Sequence, residues 1–158
     1  MSLLRLLLLV LSLGAASCAG AQGSTTYVMR HLHTPEGVPD PDLTEEGRRV
    51  AVLLSDWFGG KRLAAIYVSD FKRTRQTAAP LARRLGLTPK IYDPRDTPAL
   101  LAAVLGEAGP VLIVGHSNTV PGVVEALGAA RPAPLSHPDF GDLWIVERGE
   151  AERVDLER

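Results

Sequence analysis

Pro110-Val111-Leu112-Ile113-Val114-Gly115-His116-Ser117-Asn118-Thr119 is the most telling stretch of the 158 residues. Four apolar residues run without a polar break between a proline and a glycine. A strand with one wet face would alternate, so this run reads as a strand buried on both faces, the centre of a parallel sheet. The polar turn after it leads into Val120, Val123, Val124 and Leu127, spaced for one face of a helix that stops before Gly128. A buried strand, a polar turn and an amphipathic helix make one βα unit, and the rest of the chain repeats the alternation.

Towards the N-terminus, Thr25–His31 is β-branched and aromatic, hence a strand, and Pro35, Gly37, Pro39 and Pro41 mark the loop after it. Thr44 suits an N-cap, with Glu45 and Glu46 near the positive helix end, and Val50, Leu53, Leu54, Trp57 and Phe58 follow at helical spacing up to Gly59-Gly60. Ala64–Ser69 is the second strand, and Asp70 is expected to cap a helix running to Gly86 with Ala78, Leu81, Ala82 and Leu85 inward. Lys90–Tyr92 is a short strand, Thr97-Pro98 an N-cap and first helical residue for a helix through Glu107, and Leu143–Val146 the last strand. The order βαβαβαβαβ predicts a three-layer α/β/α sandwich around a mostly parallel central sheet. Residues 22–158 form a single domain on this reading, too short for a TIM barrel.

Ligands of such sheets gather beyond the carboxyl ends of the strands. There the chain sets Arg30, His31, His33 and Thr34 after strand one, Ser69, Asp70, Lys72, Arg73, Thr74 and Arg75 after strand two, and His116, Ser117, Asn118 and Thr119 after strand four. Seventeen basic residues against eighteen acidic ones leave no global field for nucleic acid, so the cations are a local feature. A focused positive pocket on a near-neutral body suits a small phosphorylated or otherwise anionic ligand.

Four segments carry a more specific likeness. Met29-Arg30-His31-Leu32-His33-Thr34 resembles the Arg-His-Gly-x-Thr motif of the histidine phosphatase superfamily, which includes the phosphoglycerate mutases. Ser69-Asp70-Phe71-Lys72-Arg73-Thr74-Arg75-Gln76-Thr77-Ala78 is similar to its Ser-x-Leu-x-Arg-x-x-Gln-Thr-Ala block. Leu43-Thr44-Glu45-Glu46-Gly47 is similar to its Leu-Thr-x-x-Gly helix start, and Gly115–Thr119 to its second-histidine segment. The resemblance implies a phosphoglycerate mutase-like fold and a phosphatase that needs no metal or other cofactor. It implies His31 as the nucleophile that accepts the phosphoryl group, and Arg30, Arg73, His116 and Thr34 as the residues that bind it. Fixed cations would neutralise the transferring group, and splitting hydrolysis into two transfers would lower each barrier. Leu32 and Gly37 depart from the family pattern, which has Gly and, in many mutases, Asn. Asp96 is expected as the proton donor to the leaving group ahead of Glu36. His33 is expected to shape or contact the substrate, and His137 to be an exposed loop residue.

Other readings are weaker. Gly115-His116-Ser117-Asn118-Thr119 nearly spells a nucleophile elbow, but the only later histidine, His137, precedes Asp139 and Asp142, the wrong order for a hydrolase triad. His31-x-His33 could ligate a metal, though two arginines beside it would repel a cation. A non-catalytic phosphate-binding module keeps no use for intact His31 and His116. A mutase needs lid insertions to exclude water, and the Thr34–Pro41 and Gly128–Asp142 loops are short.

The first residues read as an export signal: Arg5, the leucine run Leu6–Leu13, and small residues to Ala19-x-Ala21, with a mature start at Gln22. Cys18, the single cysteine, offers the alternative of a lipid-modified lipoprotein and with it a membrane anchor. The expected location is periplasmic or secreted, and the expected partner a small phosphorylated substrate.

Overall fold

The computed structural model describes residues 24–158; the export signal over residues 1–21, Cys18 and the Gln22 start lie outside the described residues. Strands β1 (Thr26–Arg30), β2 (Ala65–Ser69), β3 (Lys90–Tyr92), β4 (Val111–Gly115), β5 (Asp142–Glu147) and β6 (Glu150–Asp155) form one sheet in the order β3-β2-β4-β1-β5-β6. Helices α1 (Glu45–Trp57), α2 (Lys72–Leu85), α3 (Thr97–Leu105) and α4 (Val120–Ala126) cover its faces.

Side-chain alternation sorts the core into two layers. Tyr27, Met29, Ile66, Val68, Leu112 and Val114 point one way and pack with Val50 and Leu54 of α1 and with Ala78 and Leu81 of α2. Val28, Tyr67, Val111 and Ile113 point the other way, against Leu100 and Val104 of α3 and Val120, Val123 and Val124 of α4. Strand β4 is fully buried and pairs in parallel with β1 on one side and β2 on the other.

Three expectations need correction. The sheet has a sixth strand: β5 runs antiparallel to β1 and turns through Arg148 (φ 51°) and Gly149 (φ 82°) into β6. Two left-handed residues make the tight hairpin whose twist matches the strands. Glu-Ala-Glu-Arg-Val-Asp carries no apolar run because β6 is an edge strand, where exposed charge discourages pairing with another chain. Phe71, not Asp70, is the N-cap residue of α2, and Asp70 pairs instead with Arg75 on the surface. Asp96, not Thr97, caps α3, its carboxylate accepting from Ala99 N at 3.0 Å, and the helix stops at Leu105. Among the described residues no helix is long and apolar enough to cross a membrane.

Registry brings the strand ends level. Arg30 lies opposite Gly115 and Val68 opposite Val114, so His31, Ser69 and His116 emerge together at one edge. The loop after His31 is then clamped. Leu32 N donates to Thr77 Oγ1 at 3.0 Å, and Gln76 accepts from Leu43 N at 2.8 Å while donating to Asp42 at 2.6 Å. Leu32 keeps an ordinary φ and is fully buried in the core, which is why the glycine of the family pattern is dispensable here.

Gly47 makes the closest approach of α1 to this loop: a Cβ there would stand 2.5 Å from the main-chain oxygen of His33. Backbone cannot swing aside as a side chain would, so Gly47→Ala is expected to cost about 2 kcal/mol and about 6 °C in Tm. Thermal unfolding checks this; an unchanged Tm would mean that α1 slides freely over the loop.

Candidate active site

His31 sits just past β1 with its main-chain N donating to Gly115 O at 2.9 Å. Its ring is held edgewise: Nδ1 lies 2.9 Å from the carbonyl oxygen of Leu32. A carbonyl only accepts, so Nδ1 bears the hydrogen and Nε2 keeps its lone pair. The His116 ring faces it at 5.5 Å between centroids. His116 Nε2 is 2.7 Å from Ser69 Oγ, and Nδ1 is 3.3 Å from Arg73 Nη2.

Two guanidiniums flank the pair. Arg30 is 7% exposed, stacked 4.1 Å above the Phe140 ring, with Nη1 donating to the carbonyls of Ser136 and Asp139. Its Nε is buried without a hydrogen-bond partner among the described residues. A buried N–H of this kind costs free energy until an acceptor meets it. Arg73 lies 4.4 Å over the Phe71 ring and pairs with Asp40 at 3.5 Å. Asp40 also accepts from Lys72 N at 2.8 Å, which ties the first loop to the start of α2.

The cleft has two lobes that meet at His31, Phe71 and Arg73. One, about 270 Å³, is bounded by His116, Ser117, Asn118, Thr119, Pro94 and Arg95. The other, about 400 Å³, runs under the first loop past Arg30, Thr34, Glu36 and Asp40 to His137. A roomier hollow of about 590 Å³ adjoins the first across Phe71, Pro94 and Arg95.

The fold therefore brings together Arg30, His31, Thr34, Arg73 and His116, and leaves Glu36 at the mouth. Asp96 is not among the lining residues; its carboxylate is spent on the cap of α3. His33 turns away from the cleft, packing 4.5 Å from the Phe140 ring with Nε2 3.4 Å from Glu157. It supports the ring under Arg30 and does not line the cleft. His137 is exposed as expected, yet borders the second lobe. Arg75 and Lys72 face outward, to Asp70 and Asp42. His116 gives both ring nitrogens to Ser69 and Arg73 and neither to Ser117, the serine of the nucleophile-elbow reading. Sequence reasoning missed Phe71, Asp40 and Phe140 as parts of the site. Phe71 stood inside the quoted block; Asp40 and Phe140 lie in loops with no periodicity to flag them.

Burial, reinforced by Arg30, His116 and Arg73, lowers the His31 pKa to about 3; its bond to the Leu32 carbonyl opposes the shift. Burial and then Arg73 and Arg30 lower that of His116 to about 4. Both rings are neutral in the folded protein at ordinary pH. Because their folded values lie below the unfolded one, the unfolded chain binds more protons and stability falls as pH drops below about 6.5. At about pH 5 each ring costs about 2 kcal/mol by this linkage. Denaturant unfolding at about pH 7 and 5 should show His116→Gln losing less stability than the wild type. Equal losses would contradict a neutral, buried His116.

Comparisons with known proteins agree with this fold. A family model described as the histidine phosphatase superfamily (branch 1) matches residues 23–95. A protein from Nakamurella multipartitia with a provisional assignment as phosphohistidine phosphatase SixA is 27% identical, with a TM-score of 0.61 over 81% of this chain and 86% of that one. The protein histidine phosphatase SixA complexed with tungstate is 21% identical, TM-score 0.65, over 84% of this chain and 97% of that one. A mycobacterial glucosyl-3-phosphoglycerate phosphatase holding inorganic phosphate is 18% identical, TM-score 0.62, over 77% and 88%. The PE-PGRS family protein PE_PGRS11 of Mycobacterium tuberculosis is 35% identical over 83 residues, 46% of this chain, which spans 14% of that relative's length. The four motifs gather at one sheet edge, and the histidine phosphatase superfamily model matches the segment that carries the first three of them.

Proposed function

We propose that this protein is a metal-independent phosphatase acting through a phosphohistidine on His31. The observation that carries the reading is the free lone pair of His31 Nε2 beside Arg30, Arg73 and His116. In the first step Nε2 attacks phosphorus, the bond to the leaving oxygen breaks, and that oxygen takes the electron pair and a proton. Water then attacks the phosphohistidine and gives a proton to the carboxylate left by the first step, the P–N bond breaks with its electron pair returning to Nε2, and neutral His31 returns. Arg30 Nε, Arg73 and His116 hold the phosphoryl oxygens as their charge redistributes. Glu36, the carboxylate of the expected pair that borders the cleft, is the proposed proton donor.

The substrate is a small phosphomonoester or a phosphorylated envelope component or protein, and the open hollow across Phe71 leaves room for its leaving group. The phosphatase names of the similar proteins favour hydrolysis over mutase chemistry. The leucine run and Ala19-x-Ala21 support export to the periplasm or medium, with Cys18 as the alternative lipid anchor.

The test is a screen of phosphorylated compounds with and without a divalent chelator. Turnover should survive chelation, because the arginines supply the positive charge. Activity lost in chelator and restored by zinc or magnesium would overturn the assignment and revive His31 and His33 as ligands. Phosphate binding without turnover of any compound would leave a binding module.

A further inference from the structure

The two active-site histidines differ in what holds their far nitrogen. His31 has a carbonyl there, which fixes its hydrogen. His116 has the hydroxyl of Ser69 at 2.7 Å, and a hydroxyl either donates or accepts. Partners at both ends resolve the choice. Nδ1 of His116 faces Arg73 Nη2 at 3.3 Å, and guanidinium nitrogens only donate. A neutral His116 thus keeps its lone pair on Nδ1 and its hydrogen on Nε2. At the other end Ser69 Oγ lies 3.2 Å from Thr74 Oγ1, and Thr74 Oγ1 has the carbonyls of Ser69 and Phe71 at 2.8 and 2.9 Å. Thr74 gives its one hydrogen to a carbonyl, so its oxygen receives that of Ser69. Both hydroxyl residues are 0% exposed, which leaves no room for solvent to reverse the order.

We infer that Ser69 and Thr74 are positioning residues: with Arg73 they order one directional chain, Arg73 to His116 to Ser69 to Thr74 to main-chain carbonyl, that holds His116 as its Nε2–H tautomer and obliges it to gain a proton at Nδ1 when an anion enters.

An incoming oxyanion takes the Arg73 N–H for itself and meets the bare Nδ1 lone pair. One proton taken from solvent removes that repulsion. The imidazolium then donates from Nδ1 to the anion and from Nε2 to Ser69, already turned to accept. The groups that face His116 are Arg73 on α2, Arg30 and His31 at the end of β1, and Asp40 on the first loop. In the empty site burial and the two guanidiniums oppose protonation, and Asp40 alone favours it. A bound dianion reverses that sum. The anion half of the inference rests on the proposed function; the tautomer half does not.

The experiment is nuclear magnetic resonance of the full chain with isotope-labelled histidine at about pH 7, where both rings are neutral. His116 should show a protonated Nε2 and a bare Nδ1. Thr74→Val keeps the shape but removes the acceptor, so the Ser69 hydrogen swings to Nε2 and the signal moves towards Nδ1–H; Thr74→Ser restores the wild-type pattern. Sulfate, which does not titrate between about pH 5 and 8, should bind with uptake of one proton and weaken about tenfold per unit rise in pH. That slope should flatten in Thr74→Val, whose neutral ring already donates. A wild-type His116 carrying its hydrogen on Nδ1 overturns the inference without need of any variant, as does an unmoved signal in Thr74→Val. Sulfate bound with no pH slope overturns the proton-uptake half. No sulfate binding at all sinks the phosphate-site reading, while the nitrogen signals still judge the hydroxyl chain.

Discussion

His31→Ala should abolish turnover, and with it any acid-labile, base-stable phosphoenzyme. Its two nearest imidazoles are committed elsewhere: His116 is engaged at both nitrogens, and His33 turns to Glu157 and Phe140. Removing a nucleophile whose role no neighbour assumes costs on the order of ten-thousandfold or more. The wild type should keep a competent nucleophile well into acid, since the His31 pKa is lowered to about 3. Any acid limb near pH 6.5 must then come from the substrate or another group. Quenching each variant with labelled substrate and counting protein-bound phosphate decides the matter. Ser117→Ala, whose hydroxyl has no part in the chemistry, should label and turn over like the wild type. An active His31→Ala beside a dead Ser117→Ala would hand the reaction to an esterase-type serine.

Arg73→Ala should be nearly as severe. Its guanidinium reaches His116, lies over Phe71 and faces the junction of the two lobes, so its loss removes a charge and loosens the second histidine. One donor aimed at the charge of the transition state is worth about 3 to 4 kcal/mol, a hundred- to a thousandfold in rate. Phosphoenzyme should still form, slowly, and inhibition by vanadate should weaken by a comparable factor. Arg73→Lys should recover little, because an ammonium cannot offer the planar fork that meets His116 and an oxyanion together. Full phosphoenzyme formation in Arg73→Ala would place this arginine outside the phosphoryl site.

The alternation of strand and helix, the central place of Val111–Val114 and the convergence of three strand ends were legible in the sequence. They are properties of single segments: an unbroken apolar run, a 3.6-residue spacing, a proline or glycine at a boundary. The site residues that directly follow β1, β2 and β4 were legible for the same reason, since a parallel sheet carries whatever follows its strands to one edge. Only the tertiary structure decided which neighbours those residues meet. β6 escaped notice because an edge strand buries little and needs no apolar pattern. Asp96 and Glu36 are alike on paper; one is consumed by the helix it caps and the other is left at the cleft by a loop whose course depends on Gln76, Thr77 and Asp40. Leu32 replaces a glycine without strain because the core has a place for its side chain. The direction of the hydrogens through His116 depends on four side chains and two carbonyls, drawn from β2, the turn after it, α2 and the end of β4. Donor and acceptor roles belong to pairs of groups, and which groups pair is settled only once the chain has folded.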